Sequence, residues 1–429
     1  MNIVFSSDKK EYNTIKKGTE ILLAENDGFN QNIELSVEFQ DRPEILINKR
    51  NNQIHIICRE ISHYYRALNY AIHHMEEDEF QYREHVCFER NGLMLDCSRN
   101  AVFTVEKVKF LIKTLAKLGM NVLMLYTEDT YEVEGQPYFG AYRGKYTKDE
   151  IKELDAYASM FGVELVPCIQ TLAHLHNVLK WPGMDKIRDS ADILQPEKEE
   201  TYQFIEKLLS SVKENFSTNR VHLGMDEAVM LGLGNYLKEN GYKKGSLIIE
   251  EHCNRVVDIC RKLELKPMIW SDMYITANST GGYYDLPENT DCSKWEKPKK
   301  DLGLVYWDYY HDDTRTYEKM LDIHAQLSDN VIFAGGSWIW NGISPNYSKS
   351  YACTKAALST CKKYNIKEVL CTAWMDNGAE TPVDALLPGL VLFAHLDFHR
   401  DYDETILKQE FRNLSLIHIS EPTRLRRIS

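Results

Sequence analysis

The sequence lacks the features that mark several large classes of protein. Its ten cysteines include no Cys-x-x-Cys pair, so their spacing favours neither a zinc site nor a disulfide framework. No run approaches the roughly 20 apolar residues of a membrane span, and the first residues do not follow the positive-then-apolar order of a signal peptide. We therefore expect a cytoplasmic protein with reduced thiols and no membrane partner.

Basic residues are also fewer than acidic residues. The 51 Lys and Arg residues are outnumbered by 64 Asp and Glu residues, which gives a net charge of −13. This balance argues against a nucleic-acid or anionic-membrane partner and mainly favours solubility. No Gly-rich phosphate fingerprint follows a predicted strand, and the closest candidate pair for a metal site, His174 and His176, is two residues apart and so would not share one helical face. We therefore predict no cofactor and no metal.

What is present is a chain long enough for a large domain and a smaller one, at 429 residues and 43% hydrophobic composition. Residues 1–85 predict a small α+β domain, and the charged segment Glu76–Tyr82 is predicted to be its linker to the rest. A helix is predicted from about Glu60 to Met75. The predicted strands of this domain are Asn2–Phe5, Ile33–Phe39, Glu44–Asn48 and Gln53–Cys58.

Over residues 86–400 the pattern alternates strand and helix. Eight such repeats predict an α/β protein with a (β/α)8 TIM barrel, and the alternative is an open doubly wound sheet. The predicted strands are Gly92–Asp96, Asn121–Tyr126, Glu164–Pro167, Arg220–Gly224, Lys266–Trp270, Leu302–Trp307, Val331–Gly335 and Glu368–Ala373. The predicted helices are Val105–Leu118, Lys148–Phe161, Lys198–Lys213, Leu247–Leu263, Thr316–Gln326, Lys349–Tyr364 and one that begins at Pro388.

The last residues need separate treatment. Residues 415–429 look like the translation of a sequencing-library adaptor followed by a short basic tail, so we expect an artefact there. Residues 401–414 are then expected to begin a C-terminal region that is cut short.

Two adjacent acids, Asp226 and Glu227, follow the predicted strand that begins at Arg220. In a parallel barrel the functional side chains gather just after the strands, at the carboxyl end. Neighbouring carboxylates repel each other, so their proton affinities should separate, one staying ionised and the other holding a proton. The pair is therefore the leading candidate for acid–base chemistry.

The other strand ends carry polar and aromatic residues as well. Aromatic walls with a few carboxylates and one arginine suit a neutral polyol ring, whose apolar faces stack while its hydroxyls form hydrogen bonds. Five of the seven tryptophans lie at these ends. The candidates are Asp96 and Arg99, Glu128 and Asp129, His174, Trp270 and Asp272, Trp307, Tyr309 and Tyr310, Trp338 and Trp340, and Trp374 and Asp376.

These motifs resemble those of glycoside hydrolase family 20, the β-N-acetylhexosaminidases, and within it the bacterial cytosolic-type exo-enzymes. The most specific match is the His222-x-Gly224-x-Asp226-Glu227 stretch, and the likeness covers residues 1 to about 400. Two departures stand out. Asp376 stands where the family usually has Glu, and Thr-Glu-Asp at the second strand replaces Thr/Ser-Asp-Asp, which leaves the binding role open between Glu128 and Asp129.

The resemblance implies substrate-assisted hydrolysis of terminal β-linked GlcNAc or GalNAc, with retention of configuration, through an oxazolinium-like intermediate. It implies Glu227 as general acid and base, and Asp226 as the carboxylate that orients the acetamido group. Tyr309 is the candidate partner of the acetamido oxygen, with Tyr310 as its competitor. The remaining predicted substrate-binding residues are Arg99, His174, Trp270, Trp307, Trp338, Trp374 and Asp376.

Two other functions compete with this one. The first is a family 20 hydrolase with a longer pocket that releases a disaccharide. The second is a sugar-binding barrel without turnover, which would have no need of the Asp226–Glu227 pair. The expected partner in either case is a small oligosaccharide or glycoconjugate.

Overall fold

A computed structural model describes residues 2–5, 10–24 and 32–414. The predicted artefact at 415–429 lies outside the described residues. The chain forms a small mixed sheet followed by a closed parallel barrel, so the predicted (β/α)8 TIM barrel after a small α+β region is confirmed.

The N-terminal sheet has five strands in the order β1-β2-β4-β3-β5. Strands β1, β2 and β4 run parallel, whereas β3 pairs antiparallel with both β4 and β5. Helix α2 packs on this sheet and buries Tyr64, Tyr65 and Leu68. The elements are β1 (Asn2–Phe5), α1 (Lys10–Ala24), β2 (Asn32–Phe39), β3 (Glu44–Arg50), β4 (Gln53–Cys58), α2 (Ile61–His73) and β5 (Glu79–His85).

The predicted linker Glu76–Tyr82 is wrong, because β5 begins at Glu79 and belongs to the sheet. The segment has an alternating burial pattern that its many charged residues obscure in the sequence. Phe80, Tyr82 and Glu84 are buried or partly buried, and the residues between them are exposed. Such charge is usual on an edge strand, where it discourages pairing with other chains.

The barrel strands run in the closed order β10-β11-β12-β13-β6-β7-β8-β9, all parallel. All eight overlap the predicted strands, and the apolar runs are buried on both faces, as parallel strands covered by helices require. They are β6 (Arg90–Asp96), β7 (Val122–Glu128), β8 (Glu164–Ile169), β9 (Arg220–His222), β10 (Lys266–Trp270), β11 (Gly303–Trp307), β12 (Val331–Gly336) and β13 (Glu368–Ala373).

Helices of ordinary length cover the barrel, and their ends follow sequence signals. In α3 the Thr104 hydroxyl accepts a hydrogen bond from the Lys107 N–H, and Gly119 ends the helix in the left-handed conformation. Thr147 and Glu150 form a capping box at the start of α4. The longer helices are α3 (Val105–Leu118), α4 (Lys148–Met160), α6 (Glu199–Asn215), α8 (Gly245–Lys262), α10 (Thr314–Leu327), α11 (Tyr347–Lys363), α13 (Leu387–Phe398) and α14 (Glu404–Leu414).

Short helical segments lie in the loops at the carboxyl end of the barrel. They are α5 (His176–Leu179), α7 (Asn235–Asn240), α9 (Asp272–Thr276) and α12 (Asp376–Ala379), with 3-10 turns at Pro182–Ile187 and Val383–Leu386. Because α9 and α12 start directly after a strand, Asp272 and Asp376 stand at helix N-termini that face the barrel mouth.

Three segments that are distant in sequence meet at the Arg66 side chain of α2. The guanidinium pairs with Glu84 of β5 at 2.6 Å and also with Glu410 of α14. Glu410 in turn accepts from His395 Nδ1 of α13 at 2.7 Å. Arg66 therefore joins the N-terminal sheet to the last two described helices.

All ten cysteines are free, and nine of them are buried. Among the residues that the structure describes, no helix combines the length and apolar character that a membrane span requires.

Candidate active site

The strand-end residues singled out from the sequence converge at the carboxyl end of the barrel. The centre of this region is the turn that follows β9, where the backbone takes an uncommon course. Gly224, Met225 and Glu227 all have positive φ, at 70°, 71° and 52°. Left-handed φ is unusual for residues with a side chain, and such outliers concentrate at functional sites.

This turn corrects one part of the sequence reasoning. Strand β9 ends at His222, earlier than the predicted end at Gly224, so Asp226 and Glu227 are loop residues and not successive strand residues whose side chains would alternate. The left-handed backbone separates them instead. A Cβ on Gly224 would lie 2.0 Å from Gln170 Oε1, so only glycine allows the turn to approach β8 this closely.

Asp226 is enclosed and held from two sides. Its Oδ1 accepts a hydrogen bond from Gln170 Nε2 at 2.8 Å, and its Oδ2 lies 3.1 Å from His174 Nε2. Burial pushes the pKa of Asp226 upward, but the His174 charge and these donors outweigh it and lower the pKa to about 2. Asp226 is therefore a carboxylate at neutral pH.

Glu227 is the exposed member of the pair. Its side chain is 58% exposed at the mouth, with Oε2 3.5 Å from His174 Nε2. Its backbone N–H donates to Asp272 Oδ2 at 2.9 Å, which fixes the turn against the next strand. The Glu227 carboxyl group can thus contact a group that enters from outside.

His174 lies between the two acids and carries positive charge. The nearby Asp226 carboxylate raises the pKa of His174 to about 11, despite burial, which acts in the opposite direction. Its Nε2 is close to both carboxylates but is not aligned for a full hydrogen bond with either. The imidazolium therefore acts as a shared cation, and a left-handed backbone at His174, with φ of 55°, places it there.

Asp272 forms the floor beneath Glu227. Burial and the Asp226 charge raise the pKa of Asp272, while the Glu227 N–H and Trp307 Nε1, the latter 3.3 Å from Oδ1, act in the opposite direction. Asp226 and Asp272 are thus two buried carboxyl groups whose proton affinities are pushed apart by their surroundings. Such a divergence separates an ionised group from a proton-holding one.

Arg99 reaches the mouth from the end of β6. Its Nη1 donates to buried Asp96 Oδ2 at 2.9 Å, and its Nε lies 3.4 Å from Asp376 Oδ1. The guanidinium also lies 5.2 Å from the ring centroids of Tyr126 and Trp374. Arg99 therefore has a buried structural partner in Asp96 and a second, partly exposed carboxylate beside it in Asp376.

Glu128 and Asp129 have different surroundings. Asp129 forms an ion pair with Arg143, a residue of the loop after β7. Glu128 accepts from the Tyr126 hydroxyl at 3.4 Å, and it lies within electrostatic range of Arg99 and His174. Burial raises the pKa of Glu128 to about 7 even though Arg99 and His174 lower it. The geometry therefore places Glu128 among the predicted site residues and engages Asp129 elsewhere.

Aromatic rings form one side of the opening. The Tyr309 ring stacks on Trp307 with centroids 5.6 Å apart, and Trp374 meets the Tyr309 ring at 6.5 Å. Trp270 lies deeper, between His222 and Trp374. These contacts bring the predicted rings into one continuous wall.

Trp338 supports this wall from behind, because its Nε1 donates to the Tyr309 carbonyl at 2.7 Å. The two adjacent tyrosines are distinguished by burial. Tyr309 is enclosed between Trp307 and Trp374, whereas the Tyr310 ring is 46% exposed. Tyr309 is thus the enclosed tyrosine of the pair, and Tyr310 is the one open to solvent.

His222, the first residue of the motif, is fully buried beneath the site. Its Nδ1 accepts from the Gly224 N–H at 3.1 Å, and burial lowers the pKa of His222 to about 3. His222 is therefore a neutral ring that shapes the turn and does not reach the opening.

Ligand atoms of His174, Asp226 and Glu227 lie within 4.8 Å of one another, a spacing that a cation could occupy. A metal ion would have to displace the proton of His174, whose pKa is raised to about 11. Since metal ligation needs neutral imidazole, this cluster suits proton chemistry better than metal binding.

Gln170 was missed by the sequence reasoning. Its amide holds Asp226 and the Tyr126 hydroxyl through Nε2, and its Oε1 accepts from the Met225 N–H at 3.1 Å. The signal was available, because β8 ends at Ile169 and Gln170 is the next residue. The prediction ended β8 at Pro167 and so passed over it.

Together these groups can position a polar ring and move protons at its edge. The site offers an ionised carboxylate, an exposed carboxyl group on the solvent side, a fixed cation between them and an aromatic wall with a hydroxyl. Paired carboxyl groups of differing environment beside aromatic rings suit hydrolysis of a glycosidic bond.

Comparisons with known proteins agree with this geometry. Residues 88–311 match the model of the glycosyl hydrolase family 20 catalytic domain. Hexosaminidase D from Bos taurus is 28% identical over 235 residues, which are 52% of this chain and 62% of the relative. Hexosaminidase D from Homo sapiens is 26% identical over 49% of this chain and 41% of its own length. The chain thus spans less than two thirds of the curated relatives it matches.

Solved structures show the same fold. The β-N-acetylhexosaminidase of Streptomyces coelicolor A3(2) superposes with a TM-score of 0.73 at 15% identity, over 96% of this chain and 90% of that one. The exo-β-N-acetylglucosaminidase of Vibrio harveyi, solved with N-acetylglucosamine, gives 0.71 at 17% identity, over 96% and 72%. Since the family model matches more than half of the residues, the resemblance is confirmed: the chain belongs to glycosyl hydrolase family 20.

Proposed function

We propose that this protein is a retaining exo-β-N-acetylhexosaminidase that removes terminal β-linked GlcNAc or GalNAc from short oligosaccharides. The observation that carries the proposal is the contrast between Asp226, enclosed with a pKa lowered to about 2, and Glu227, exposed at the mouth of the same turn. Family membership and the names of the relatives support it.

In the first step the acetamido carbonyl oxygen of the substrate attacks the anomeric carbon, and the bond to the leaving oxygen breaks. Glu227 gives its proton to that oxygen, a role that suits a side chain open to the entering aglycone. Asp226 accepts the acetamido N–H and stabilises the positive charge that develops on the ring formed. His174, whose Nε2 lies 3.1 Å from Asp226 Oδ2, keeps Asp226 ionised.

In the second step water attacks the anomeric carbon, and Glu227 takes up its proton. The oxazolinium ring opens, the acetamido group is restored, and the two inversions give overall retention. The buried Tyr309 hydroxyl is assigned to the acetamido oxygen, with Trp307, Trp374 and Trp270 around the methyl group.

The hydroxyls of the terminal sugar are assigned to the opposite side of the mouth. Arg99 presents donors beside Asp376, and the fixed fork of a guanidinium suits two neighbouring hydroxyls. Glu128, next to His174 and Arg99, is proposed as a third contact in this group.

A cytoplasmic location is proposed as well. Its support is the ten free cysteines, nine of them buried, which suit a compartment that keeps thiols reduced. Localisation of the tagged protein in its own cells tests this part.

The test of the proposed activity is hydrolysis of 4-nitrophenyl β-GlcNAc and β-GalNAc by wild type and Glu227→Gln. We expect the variant to lose about 10²–10⁴-fold in kcat, because only the general acid–base step is removed. The melting temperature should stay unchanged, since Glu227 is exposed. A 4-nitrophenyl β-glucoside, which lacks the acetamido nucleophile, should resist both proteins.

Equal rates in wild type and Glu227→Gln would remove Glu227 from its role. Rapid cleavage of the glucoside would contradict the substrate-assisted step. Release of a disaccharide from a longer glycan by a protein silent on both monosaccharide glycosides would favour the longer-pocket alternative.

A further inference from the structure

Asp189 is a buried carboxyl group that contacts the segment carrying Glu227 and has had no part in the site so far. It belongs to the loop after β8 and is 3% exposed. Its Oδ2 accepts a hydrogen bond from the Gly232 N–H at 2.8 Å, and its Oδ1 accepts one from the Tyr236 N–H at 2.8 Å. Both donors lie between β9 and α8, as Glu227 does. One side chain therefore joins two neighbouring loops at the carboxyl end of the barrel.

The backbone around Asp189 strengthens this contact. The Asp189 carbonyl oxygen accepts from the Asn235 N–H at 2.9 Å, and the Asn235 side chain donates to the Arg188 carbonyl at 2.8 Å. A Cβ on Gly234 would lie 2.0 Å from the Asp189 carbonyl oxygen, so only glycine permits this approach. The two loops are thus in direct backbone contact where the carboxylate is buried.

The segment between Glu227 and Gly232 is a series of tight turns. Backbone hydrogen bonds of 2.7 to 3.0 Å close these turns, and they run from the N–H groups of Val229, Leu231 and Leu233 to the carbonyls of Glu227, Ala228 and Met230. Asp272 fixes the start of the segment, because it accepts from the Glu227 N–H at 2.9 Å. Asp189 fixes the far end through the Gly232 N–H. The segment is therefore held by two buried carboxyl groups.

Side-chain packing supports this segment on its inner side alone. Ala228 and Leu231 are buried, whereas Val229 is 82% exposed and Met230 is 50% exposed. Buried backbone N–H groups need an acceptor, and an enclosed N–H that loses its acceptor destabilises the conformation that buries it. The hydrogen bonds to Asp189 therefore help to determine the course of the segment.

Asp189 is also tied to His174, since both belong to the loop after β8. Leu175, the residue after His174, donates its N–H to the Asp192 carbonyl at 3.0 Å. The Asp189 N–H donates to the Ile193 carbonyl at 2.9 Å. These bonds fold the loop back on itself and link its two parts. The contacts of Asp189 therefore set the loop of the imidazolium against the loop of the proposed general acid.

We propose that Asp189 is a positioning residue for proton transfer. By joining the two loops it holds the Glu227 carboxyl group beside His174, within reach of the leaving oxygen. This inference rests on the proposed function, which makes Glu227 the general acid. Asp189 acts through the loop and is assigned no contact with the substrate. Because a shift of a reacting group by about 1 Å can cost 10²-fold in rate, freeing the far end of the segment should slow the protonated step.

The first experiment compares kcat/KM on two β-GlcNAc glycosides that differ in their leaving group. Phenol needs a proton from the general acid to leave, whereas 2,4-dinitrophenolate is stable enough to leave without one. For Asp189→Ala we expect a loss of about 10–100-fold on the phenyl glycoside and at most about twofold on the dinitrophenyl glycoside. The ratio of the two values does not depend on the folded fraction, so lower stability alone cannot change it.

Two further variants grade this effect. The amide oxygen of Asp189→Asn can still accept one of the two N–H groups, so its ratio should lie between those of wild type and Asp189→Ala. Glu227→Gln removes the acid itself and should change the ratio in the same direction by the largest factor.

Asp403→Ala is the matched control. Asp403 Oδ1 accepts from the N–H groups of Thr405 and Ile406 at 2.8 and 3.0 Å, at the start of α14. The substitution therefore also removes a carboxylate that accepts two backbone N–H groups, but on a helix that packs against α2 and α13. The ratio of the two kcat/KM values should equal that of wild type.

The second experiment measures the loops without substrate. Hydrogen exchange followed by mass spectrometry should show faster exchange over residues 228–236 in Asp189→Ala, because the Gly232 and Tyr236 N–H groups lose their acceptors. Exchange over the same residues should match wild type in Asp403→Ala.

The outcomes separate the two proposals. A ratio equal to that of wild type in both Asp189 variants overturns the positioning role, even if the variants melt at lower temperature. A wild type that hydrolyses neither glycoside overturns the proposed function, and hydrogen exchange then decides whether Asp189 fixes the loop. Unchanged exchange over residues 228–236 in Asp189→Ala shows that the loop is held without Asp189 and overturns the inference.

Discussion

The two ends of the barrel handle buried charge in opposite ways. At the amino end of the strands, Arg220 Nη1 donates to Glu164 at 2.9 Å and Nη2 pairs with Glu368. At the carboxyl end, Asp226 and Glu128 are also enclosed and share the His174 imidazolium, whereas the charges that act on buried Asp272 are those of the acids Asp226 and Glu227.

The consequence appears in their proton affinities. At the amino end burial acts to raise the pKa of Glu164, but the Arg220 charge together with hydrogen bonds from Thr218 and Arg220 lowers it. At the carboxyl end burial raises the pKa of Glu128 to about 7, although the cations Arg99, His174 and Arg143 act to lower it. One end therefore keeps its charges paired, and the other leaves carboxyl groups ready to gain or lose protons near neutral pH. A (β/α)8 barrel can separate stability and chemistry in this way because the two faces are built from different loops.

Left-handed residues with side chains occur at both ends of the barrel, for example at Glu264 before β10 and at Asn365 before β13. Glu128, His174, Met225 and Glu227 all have positive φ, and all lie at the carboxyl end. Each such residue costs of order 1 kcal/mol or more and persists only where the surroundings enforce it. At the carboxyl end the left-handed residues include the side chains of the candidate site itself, so the strain there lies where the chemistry is proposed.

Removing the cation of the ion pairs at the amino end of the barrel should have the largest effect on stability. Arg220→Met leaves Glu368 and Glu164 without their cation, and we expect a loss of about 3–5 kcal/mol in the free energy of unfolding. Urea unfolding measures it. The kcat of the folded fraction on a chromogenic β-GlcNAc glycoside should stay within twofold of wild type.

Arg261→Met is the control for that substitution. Arg261 pairs with Asp301 at 2.7 Å on the surface, with half of its side chain exposed, so its loss should cost no more than about 1 kcal/mol. Equal costs for the two variants would contradict the assignment of stability to the buried network.

Removing the hydrogen bonds that hold the turn of Asp226 should reduce activity more than stability. Gln170→Leu removes the donor to Asp226 Oδ1 and the acceptor of the Met225 N–H, so the strained turn loses its support. We expect kcat/KM to fall by about 10–100-fold, because misplacement of a reacting group by 1 Å can cost 10²-fold. Hydrolysis kinetics measure the change.

A Gln→Leu substitution on the surface is the control for Gln170→Leu. It adds the same apolar side chain without removing hydrogen bonds at the site. Gln409 of α14 is exposed and contacts only Asn413 through its amide in the described contacts, at 2.7 Å. Gln409→Leu should leave kcat/KM unchanged. Unchanged activity in Gln170→Leu would show that Asp226 is held without the amide.

The smallest expected effect is the pH dependence that Glu128 gives to the free energy of unfolding. The pKa of Glu128 is raised from 4.5 to about 7, so the native protein binds this proton more tightly than the unfolded chain does. The contribution to stability is complete below about pH 4.5, falls as pH rises through 7 and is level above. Glu128→Gln has no such proton to lose.

We therefore expect Glu128→Gln to gain stability relative to wild type by about 1–3 kcal/mol at pH 8, and little at pH 4.5. Thermal unfolding at both values measures this difference. A gap of equal size at both values would mean that Glu128 does not titrate in this range. The KM of wild type, unlike that of the variant, should also change near pH 7, because Glu128 changes from donor to acceptor there.

Much of the fold could be predicted because the barrel repeats one signal. A buried parallel strand is an uninterrupted apolar run, and the polar residues at its end are easy to see, as at Trp270–Ser271–Asp272. The N-terminal sheet gave weaker signals. Strand β5 carries charge on its solvent face, and helix α1 was not predicted at all.

The candidate site could be predicted residue by residue but not contact by contact. The sequence places Asp226 and Glu227 next to each other, yet the left-handed turn that separates them depends on Gly224 meeting Gln170 across the barrel. Asp129 likewise pairs with Arg143 through a loop whose course no local pattern fixes. Such contacts arise only when neighbouring strands are brought together.

The Arg66 contacts bear on how the protein unfolds. The guanidinium binds Glu84 and Glu410, which lie in the N-terminal sheet and in the last described helix. Detaching either element leaves a buried charge without its partner, so neither gains by separating alone. The sheet, the barrel and the final helix are thereby linked into one cooperative unit, and heating should melt them together in a single calorimetric transition.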